Sequence, residues 1–294
     1  MKKILLTGVT GFLGNALARH WLGAGYEVSA LIRSTSRRAR VEGLAGNIHL
    51  YRYGGDEDVF STIANVAPDY IVHTACSYGR AGESLVSIFD ANVRFGLLLL
   101  EGAKSLNKKV AFLNTGTILD PAVSSYAMSK QSFSAIGALQ AAQGGSGIKF
   151  INVALQHMYG PGDDNSKFTT HVISSCLANV DRLSLASGVQ QRDFVFIDDV
   201  VSAYDVMLSN MNSLADVETI EVGSGEAVPV KSFVETVHSM TASLTKLEFG
   251  VVPYRANEAM FFQADINRIS SLGWLPTTSL AAGIQKTIDK DRVQ

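Results

Sequence analysis

The stretch LLTGVTGFLG, residues 5–14, decides how the rest of the chain is read. The apolar run that leads into it, KKILLTG, is a short buried strand by pattern. Behind it, GFLGNALARHWLGAG puts Leu13, Leu17, Trp21 and Leu22 at helical spacing and stops on glycine. Gly8, Gly11 and Gly14 therefore stand between a first strand and a first helix. There the first glycine makes the tight turn, the second lets backbone approach a pyrophosphate, and the third permits close helix–strand packing. The helix N-terminus adds amide donors. Together with Thr10, Phe12 and Leu13 these residues form a candidate dinucleotide-binding loop. Its spacing is Gly-x-x-Gly-x-x-Gly rather than Gly-x-Gly-x-x-Gly.

Working outward, strands and helices alternate. YEVSALIRS (26–34), NIHLYRYGGD (47–56), DYIVHTAC (69–76) and KKVAFLNTG (108–116) have strand character. DVFSTIANVAP (58–68) and the long apolar run 84–107 have helical character. Such alternation predicts an α/β fold with a doubly wound parallel, Rossmann-type sheet, whose ligands lie at the carboxyl ends of the strands. The second half is less regular. It predicts strands at 147–156 and 181–187, helices at 167–180 and 199–211, and a strand, turn, short strand and helix over 218–240. No linker or repeat separates the halves. The expected organisation is a mainly cofactor-binding portion, 1–154, interleaved with a smaller substrate-binding portion, 155–294.

Composition narrows the class. With 47% hydrophobic and 18% charged residues, the 294-residue chain is that of a compact soluble protein. A net charge of −2 gives no reason for a nucleic-acid or anionic-membrane partner. KKILL breaks at once into the glycine loop, with no signal-peptide h-region, and no apolar run is long enough to span a membrane. Cys76 and Cys176 lie far apart and imply no disulfide framework. A cytoplasmic location follows as an expectation.

The strand ends carry the polar clusters. An NAD-specific domain usually closes its second strand on an acid for the ribose hydroxyl. Here the strand closes LIRSTSRR, and Arg33, with Ser34, Arg37 and Arg38 behind it, suits a 2′-phosphate. NADP(H) is thus favoured over NAD(H), against a solvated basic loop as the alternative. Asp56, after the third strand, is placed to meet an adenine amino group or to cap a helix. The stretch 114–130, NTGTILDPAVSSYAMSK, holds Thr115, Thr117, Tyr126 and Lys130. Tyr126 and Lys130 share one helix face at i, i+4, a spacing that many helices show. Asp198 and Asp199 are read as helix N-terminal caps, and no His/Cys cluster accompanies them, so no metal site is expected.

Eight segments in order resemble the extended short-chain dehydrogenase/reductase family. They are TGVTGFLG (7–14), VHTAC (72–76), DANVRFG (90–96), SYAMSK (125–130), HMYGPGD (157–163), QQRDFVFIDDV (190–200), EVGSGEAVPV (221–230) and LGWLP (272–276). The resemblance implies an NAD(P)-dependent oxidoreductase acting on nucleotide-activated sugars. It places Thr74, Ala75 and buried Asn92 beside the cofactor. Tyr126 would be the proton donor, and Lys130 would lower its pKa and orient the nicotinamide ribose. Either Thr115 or Thr117 would polarise the carbonyl. Dehydratases of the family carry acids where this chain reads Thr115-Gly116-Thr117, so dehydration is disfavoured. With Arg33 in place of an acid, net reduction ranks above NAD-retaining 4-epimerisation, and a non-catalytic NADP-sensing protein is a distant alternative.

The second half, especially SGVQQRDF, IEVGSGEA and LEFGVVPYRANEAM, is most similar to reductases of CDP-linked 4-keto-3,6-dideoxyhexoses, the precursors of bacterial O-antigen sugars. A dTDP-linked substrate is the other possibility. By that likeness Arg192 and Arg255 face the diphosphate, Lys167 and Phe168 the base, and His157, Ser77, Tyr78 and Arg80 the sugar. A homodimer is implied in the same way. The short interval ILDPAVSS (118–125) takes the place of a longer substrate-covering loop and fits a less hydroxylated hexose.

Overall fold

The computed structural model describes residues 2–44, 46–254 and 257–292. In the first half, β1 (Lys3–Thr7), β2 (Glu27–Arg33), β3 (His49–Tyr53), β4 (Tyr70–His73), β5 (Val110–Thr115) and β6 (Ile148–Leu155) alternate with helices. These are α1 (Phe12–Gly23), α2 (Ala39–Glu42), α3 (Asp56–Val66), α4 (Leu85–Phe89), α5 (Phe95–Lys104) and α6 (Ser125–Ala142). The second half holds β7 (His157–Tyr159), α7 (Phe168–Leu177), β8 (Arg182–Leu185), β9 (Gln191–Phe196), α8 (Ile197–Ser209) and β10 (Val217–Val222). It continues with β11 (Ala227–Pro229), α9 (Val230–Thr241), β12 (Lys246–Phe249), α10 (Asn267–Ser270) and α11 (Leu280–Asp291).

Seven strands form the main sheet, in the order β10-β6-β5-β4-β1-β2-β3. Its β1/β2, β2/β3, β1/β4, β4/β5 and β5/β6 pairs are parallel, as the strand–helix alternation predicts. The order runs outward both ways from β1, so the switch point lies between β1 and β4, where Thr7 and His73 are in register. A doubly wound sheet takes its ligand in the crevice beyond that point.

The chain packs as two compact units, Met1–Ala154 with Met207–Ile220, and Leu155–Val206 with Glu221–Gln294. In the first, Leu5, Ile71, Phe112 and Phe150 of the sheet meet Val59 and Ile63 of α3, Leu99 and Leu100 of α5, and Phe133 of α6. Removing that apolar area from water is the main force holding the helices on the sheet. Buried Lys149 on β6 donates to Met211 O (2.8 Å) and Leu214 O (2.6 Å), fixing the returning segment.

The single helix expected over 84–107 is interrupted. Between α4 and α5 the backbone widens into one π turn, Asp90–Arg94. The extra residue in such a turn re-aims side chains, and π turns recur at functional sites. Here it turns Asn92 inward, where it is fully buried.

In the second unit, β9 lies between β7, parallel, and β11, antiparallel, while β8 and β12 pair in parallel. Strands β7 and β9 lack the alternation that marks a strand in sequence. The expectation of two helix caps at Asp198 and Asp199 is corrected by their contacts. Asp199 is buried and accepts from Thr277 N (2.9 Å), Thr277 Oγ1 (2.8 Å) and Thr278 N (3.0 Å). Trp274 Nε1 adds a bond to Asp199 O at 3.2 Å. The carboxylate thus clamps a segment 78 and 79 residues away, whereas Asp198 forms an exposed pair with Lys286 at 3.8 Å.

Candidate active site

The glycine loop is shaped by contacts that only glycine allows. Gly8 has φ +76°, and a Cβ there would lie 2.5 Å from Thr74 Oγ1 and 2.7 Å from Ala75 N. A Cβ on Gly14 would lie 2.2 Å from Gly8 O, so α1 can start this close to β1 only with glycine in its first turn. The N-cap, Gly11, offers no side-chain cap to the first amides of α1, and no acid stands in the first turn. Uncapped amides at a helix start, facing a cradle kept clear of side chains, fit the pyrophosphate of a dinucleotide.

Sequence reasoning missed the group that holds this cradle. His73, the last residue of β4, shares a hydrogen bond with Thr7 Oγ1 (2.8 Å), which also accepts from Ala75 N (3.3 Å). Thr74 Oγ1 donates to Thr7 O at 2.8 Å. The imidazole lies against Phe95, Phe112 and Phe133, its Nε2 buried without a partner. Burial, with the charge of Lys130, holds its pKa well below the usual range. It is a neutral tie between the two strand ends, marked in sequence only by a histidine closing an apolar strand.

At the end of β2, Arg33 is exposed, as are Arg37 and Arg38. Asp56 is the first residue of α3 and not its N-cap. It pairs with Arg94, while Gly55 is the N-cap and Asp58 accepts from Gly54 N (2.7 Å) and Gly55 N (3.2 Å).

Tyr126 lies in the first turn of α6, whose N-cap Ser124 accepts from Ala127 N. One turn on, Lys130 is 1% exposed. Ser129 Oγ donates to Tyr126 O at 2.8 Å, and Asn92 Nδ2 donates to Ser129 Oγ at 2.9 Å and to Ser77 O at 2.8 Å. Asn92 Oδ1 accepts from Ser77 N at 2.7 Å. The amide expected beside a cofactor is therefore committed within the protein, where it ties the loop after β4 to α6. Ser77 Oγ, expected to face a sugar, donates to Glu83 (3.1 Å).

Burial pushes the Tyr126 phenol up, the Cys76 thiol adds to that, and Arg80 lowers it. The Lys130 amine is pushed down by burial and raised by Cys76. Among the groups that shift the phenol, Arg80 is the cation that lowers it. Tyr78 and Arg80 both stand close: the Tyr78 and Tyr126 rings are 4.9 Å apart, and Arg80 lies 5.0 Å from the Tyr78 ring.

Of the two candidate hydroxyls, Thr115 ends β5, and Thr117 is buried with Oγ1 accepting from Leu119 N at 3.3 Å. Gln131, unforeseen from sequence, pins this loop by donating to Thr117 O (2.9 Å) and Leu119 O (3.2 Å). Between them, a Cβ on Gly116 would lie 2.4 Å from Asn152 Oδ1. Asn152 is fixed there by Asn114 Nδ2 (2.9 Å) and Ser134 Oγ (2.9 Å). The space an acid would occupy at 116 is filled.

The remaining candidates belong to the second unit. Lys167 Nζ lies 3.0 Å from Asp163, and Phe168, exposed, opens α7. Arg192 is 5% exposed; it donates to Gln191 O (2.8 Å) and pairs with Glu258, its guanidinium 5.1 Å from the Phe262 ring. Arg255 lies outside the described residues. Gln156 Oε1 and His157 Nδ1 are buried without partners.

Burial, then Arg192 and Lys167, push the His157 pKa down to about 4. Between that value and its ordinary 6.5, the unfolded chain binds a proton that the folded chain refuses, so stability falls as pH falls through this window. From pH 7 to pH 5 the loss from His157 is about 2 kcal/mol. Urea unfolding of His157→Gln should show the pH dependence flattened by that amount; an unchanged slope would rule this out.

The sheet's switch point and the cradle beside it define a Rossmann-type dinucleotide-binding protein. Residues 4–223 match the family described as NAD dependent epimerase/dehydratase, and the chain belongs to that family. A CDP-abequose synthase of Salmonella typhimurium is 29% identical over 98% of this chain and 97% of its own length. A second, from Yersinia pseudotuberculosis, is 24% identical over 88% and 90%. In fold, the chain is similar to the crystal structure of a Thermotoga maritima UDP-glucose 4-epimerase with UDP-glucose. That likeness has a TM-score of 0.87, 21% identity and 99% coverage of both chains. No described helix is long and apolar enough to cross a membrane.

Proposed function

We propose that this protein is an NADPH-dependent reductase of the 4-keto group of a nucleotide-linked deoxyhexulose, with a CDP-linked 4-keto-3,6-dideoxyhexose as the favoured substrate. One observation carries the reaction class. Tyr126 and buried Lys130 start α6 beside a strand end, Thr115-Gly116-Thr117, where Asn152 leaves no room for the acid a dehydration needs. The abequose synthases aligned over nearly the whole chain support the substrate class.

Gly8, Gly11, Gly14 and the α1 amides would hold the pyrophosphate, and Lys130 the nicotinamide ribose. Bound there, the reduced nicotinamide supplies a hydride. Tyr126 gives its proton to the oxygen at C4, and the hydroxyl of Thr115 or Thr117 donates to the same oxygen as charge builds on it. Arg192 and Arg255 would grip the diphosphate. Because Arg192 already pairs with Glu258, the phosphate would have to displace that carboxylate. Loss of kcat in Thr115→Ala but not Thr117→Ala, or the reverse, assigns the hydroxyl.

Arg33 would meet the 2′-phosphate. Arg33→Asp should weaken NADPH binding roughly tenfold or more and leave NADH nearly unchanged, read by cofactor fluorescence titration. Equal weakening of both would reject the assignment. The same reading includes a homodimer, since Leu85 and Val86 on α4 and Met128 and Leu139 on α6 expose apolar side chains; a monomer in sedimentation velocity would refute it.

The deciding experiment is NADPH oxidation against CDP-, dTDP- and GDP-linked 4-keto sugars, with NMR of the product. Reduction of the CDP-linked 3,6-dideoxy substrate is expected. Interconversion of 4-epimers without NADPH consumption, by protein that retains NAD, would replace the reductase with an epimerase.

A further inference from the structure

The loop after β4 reaches the catalytic helix as a column of side chains. The Tyr78 ring lies on that of Tyr126, centroids 4.9 Å apart and planes inclined by 32°. The Arg80 guanidinium carbon lies 5.0 Å from the Tyr78 centroid. A guanidinium at this distance is attracted to an aromatic ring. Arg80 therefore contacts the Tyr78 ring, which in turn contacts the phenol ring of Tyr126.

The column is anchored below and beside. Ser77 is held by Asn92 through both its N–H and its carbonyl, and Asn92 reaches Tyr126 O through Ser129. On the far side Glu83 accepts from Ser77 Oγ (3.1 Å) and Ala81 N (2.8 Å). Residues 77–81 are thus fastened at both ends. The π turn that carries Asn92 gains a purpose, since it sets the height of this loop over α6.

We infer that Arg80, carried on Tyr78, is a positioning residue for Tyr126: the stack fixes the plane of the phenol and sets a positive charge where the phenolate forms. The inference rests on the reading of Tyr126 as proton donor. A buried phenol is a poor acid, because losing its proton leaves a charge away from water. A nearby cation offsets part of that cost as the proton passes to the substrate oxygen.

The charged and titratable groups around Tyr126 are few. Cys76 and Arg80 come from the loop after β4, and Lys130 from α6 itself. The π turn packed on α6 carries Asp90 and Arg94, the latter paired with Asp56, and Asp120 before α6 accepts from Ala122 N. Among them Arg80 is the group that lowers the phenol, against burial and Cys76, which raise it.

The test places 3,5-difluorotyrosine, a more acidic phenol, at position 126 of the NADP-loaded protein and titrates it by fluorine NMR. Arg80→Gln and Tyr78→Leu should each move the midpoint to higher pH, and Arg80→Lys should move it less. In the native-tyrosine enzyme, Arg80→Gln should lower kcat about fivefold, with KM for the keto sugar unchanged. An unmoved midpoint in Arg80→Gln overturns the inference. So does a raised KM with kcat and midpoint unchanged, which would make Arg80 a substrate ligand. The fluorine titration needs no sugar. If no keto sugar is reduced yet the midpoint moves, the functional reading fails and the column stands.

Discussion

Tyr126→Phe is expected to lower the rate of ketone reduction roughly a hundredfold to ten-thousandfold, the range that a positioned general acid contributes. NADPH affinity should stay within about twofold, because the pyrophosphate cradle is built from Gly8, Gly14 and the start of α1. The substitution removes one oxygen and keeps the ring. Its stack on Tyr78 uses the ring face, and its backbone carbonyl still accepts from Ser129. Folding should therefore be unaffected, and the loss should appear in kcat rather than KM. Stopped-flow NADPH oxidation under saturating sugar measures it. Turnover within tenfold of the parent enzyme would remove Tyr126 from the proposed chemistry.

Asp193→Ala should destabilise the second unit by roughly 3–5 kcal/mol, a large part of a domain's total stability. Asp193 is 0% exposed. Its carboxylate accepts from Ser224 N (2.6 Å), Ser224 Oγ (2.8 Å), Gly225 N (3.0 Å) and Ala264 N (3.1 Å). Removing it takes the shared acceptor from three backbone amides and a hydroxyl, the Ala264 amide among them in a buried contact. Asp193→Asn keeps the volume but turns one acceptor into a donor that faces an amide, so it should be destabilising as well, though less. Urea denaturation followed by circular dichroism reads both. A loss below about 1 kcal/mol in the alanine variant would mean that the turn finds other partners.

Local pattern made much of the first unit readable. Gly8 needs a left-handed backbone and Gly14 a close approach, and both demands leave their mark as glycine at a fixed spacing after an apolar strand. The alternation of strands with helices gave the parallel sheet its class before any pairing was known. The π turn was not readable, because 84–107 has unbroken helical character and the widening at Asp90–Arg94 places Asn92 against Ser77 and Ser129. Asp56, Asp199 and Arg192 were chemically legible as charged groups, yet their partners lie 38, 78 and 66 residues away. His73, Gln131 and Asn152 gave little signal, since a single polar residue in an apolar segment says nothing about what it will face.

The sequence by itself determined the fold class, the glycine loop, the Tyr126–Lys130 pair on one helix face and the absence of an acid at position 116. Each follows from a short-range rule: a backbone angle only glycine adopts freely, the period of a helix or strand, or the identity of one side chain. The tertiary structure alone decided which polar groups are already engaged. It committed Asn92 to the loop after β4, closed position 116 with Asn152, paired Arg192 with Glu258 and set Tyr78 against the phenol ring with Arg80 against Tyr78. These depend on long-range packing, which brings together residues that no local period relates, and burial then fixes the proton affinity of each.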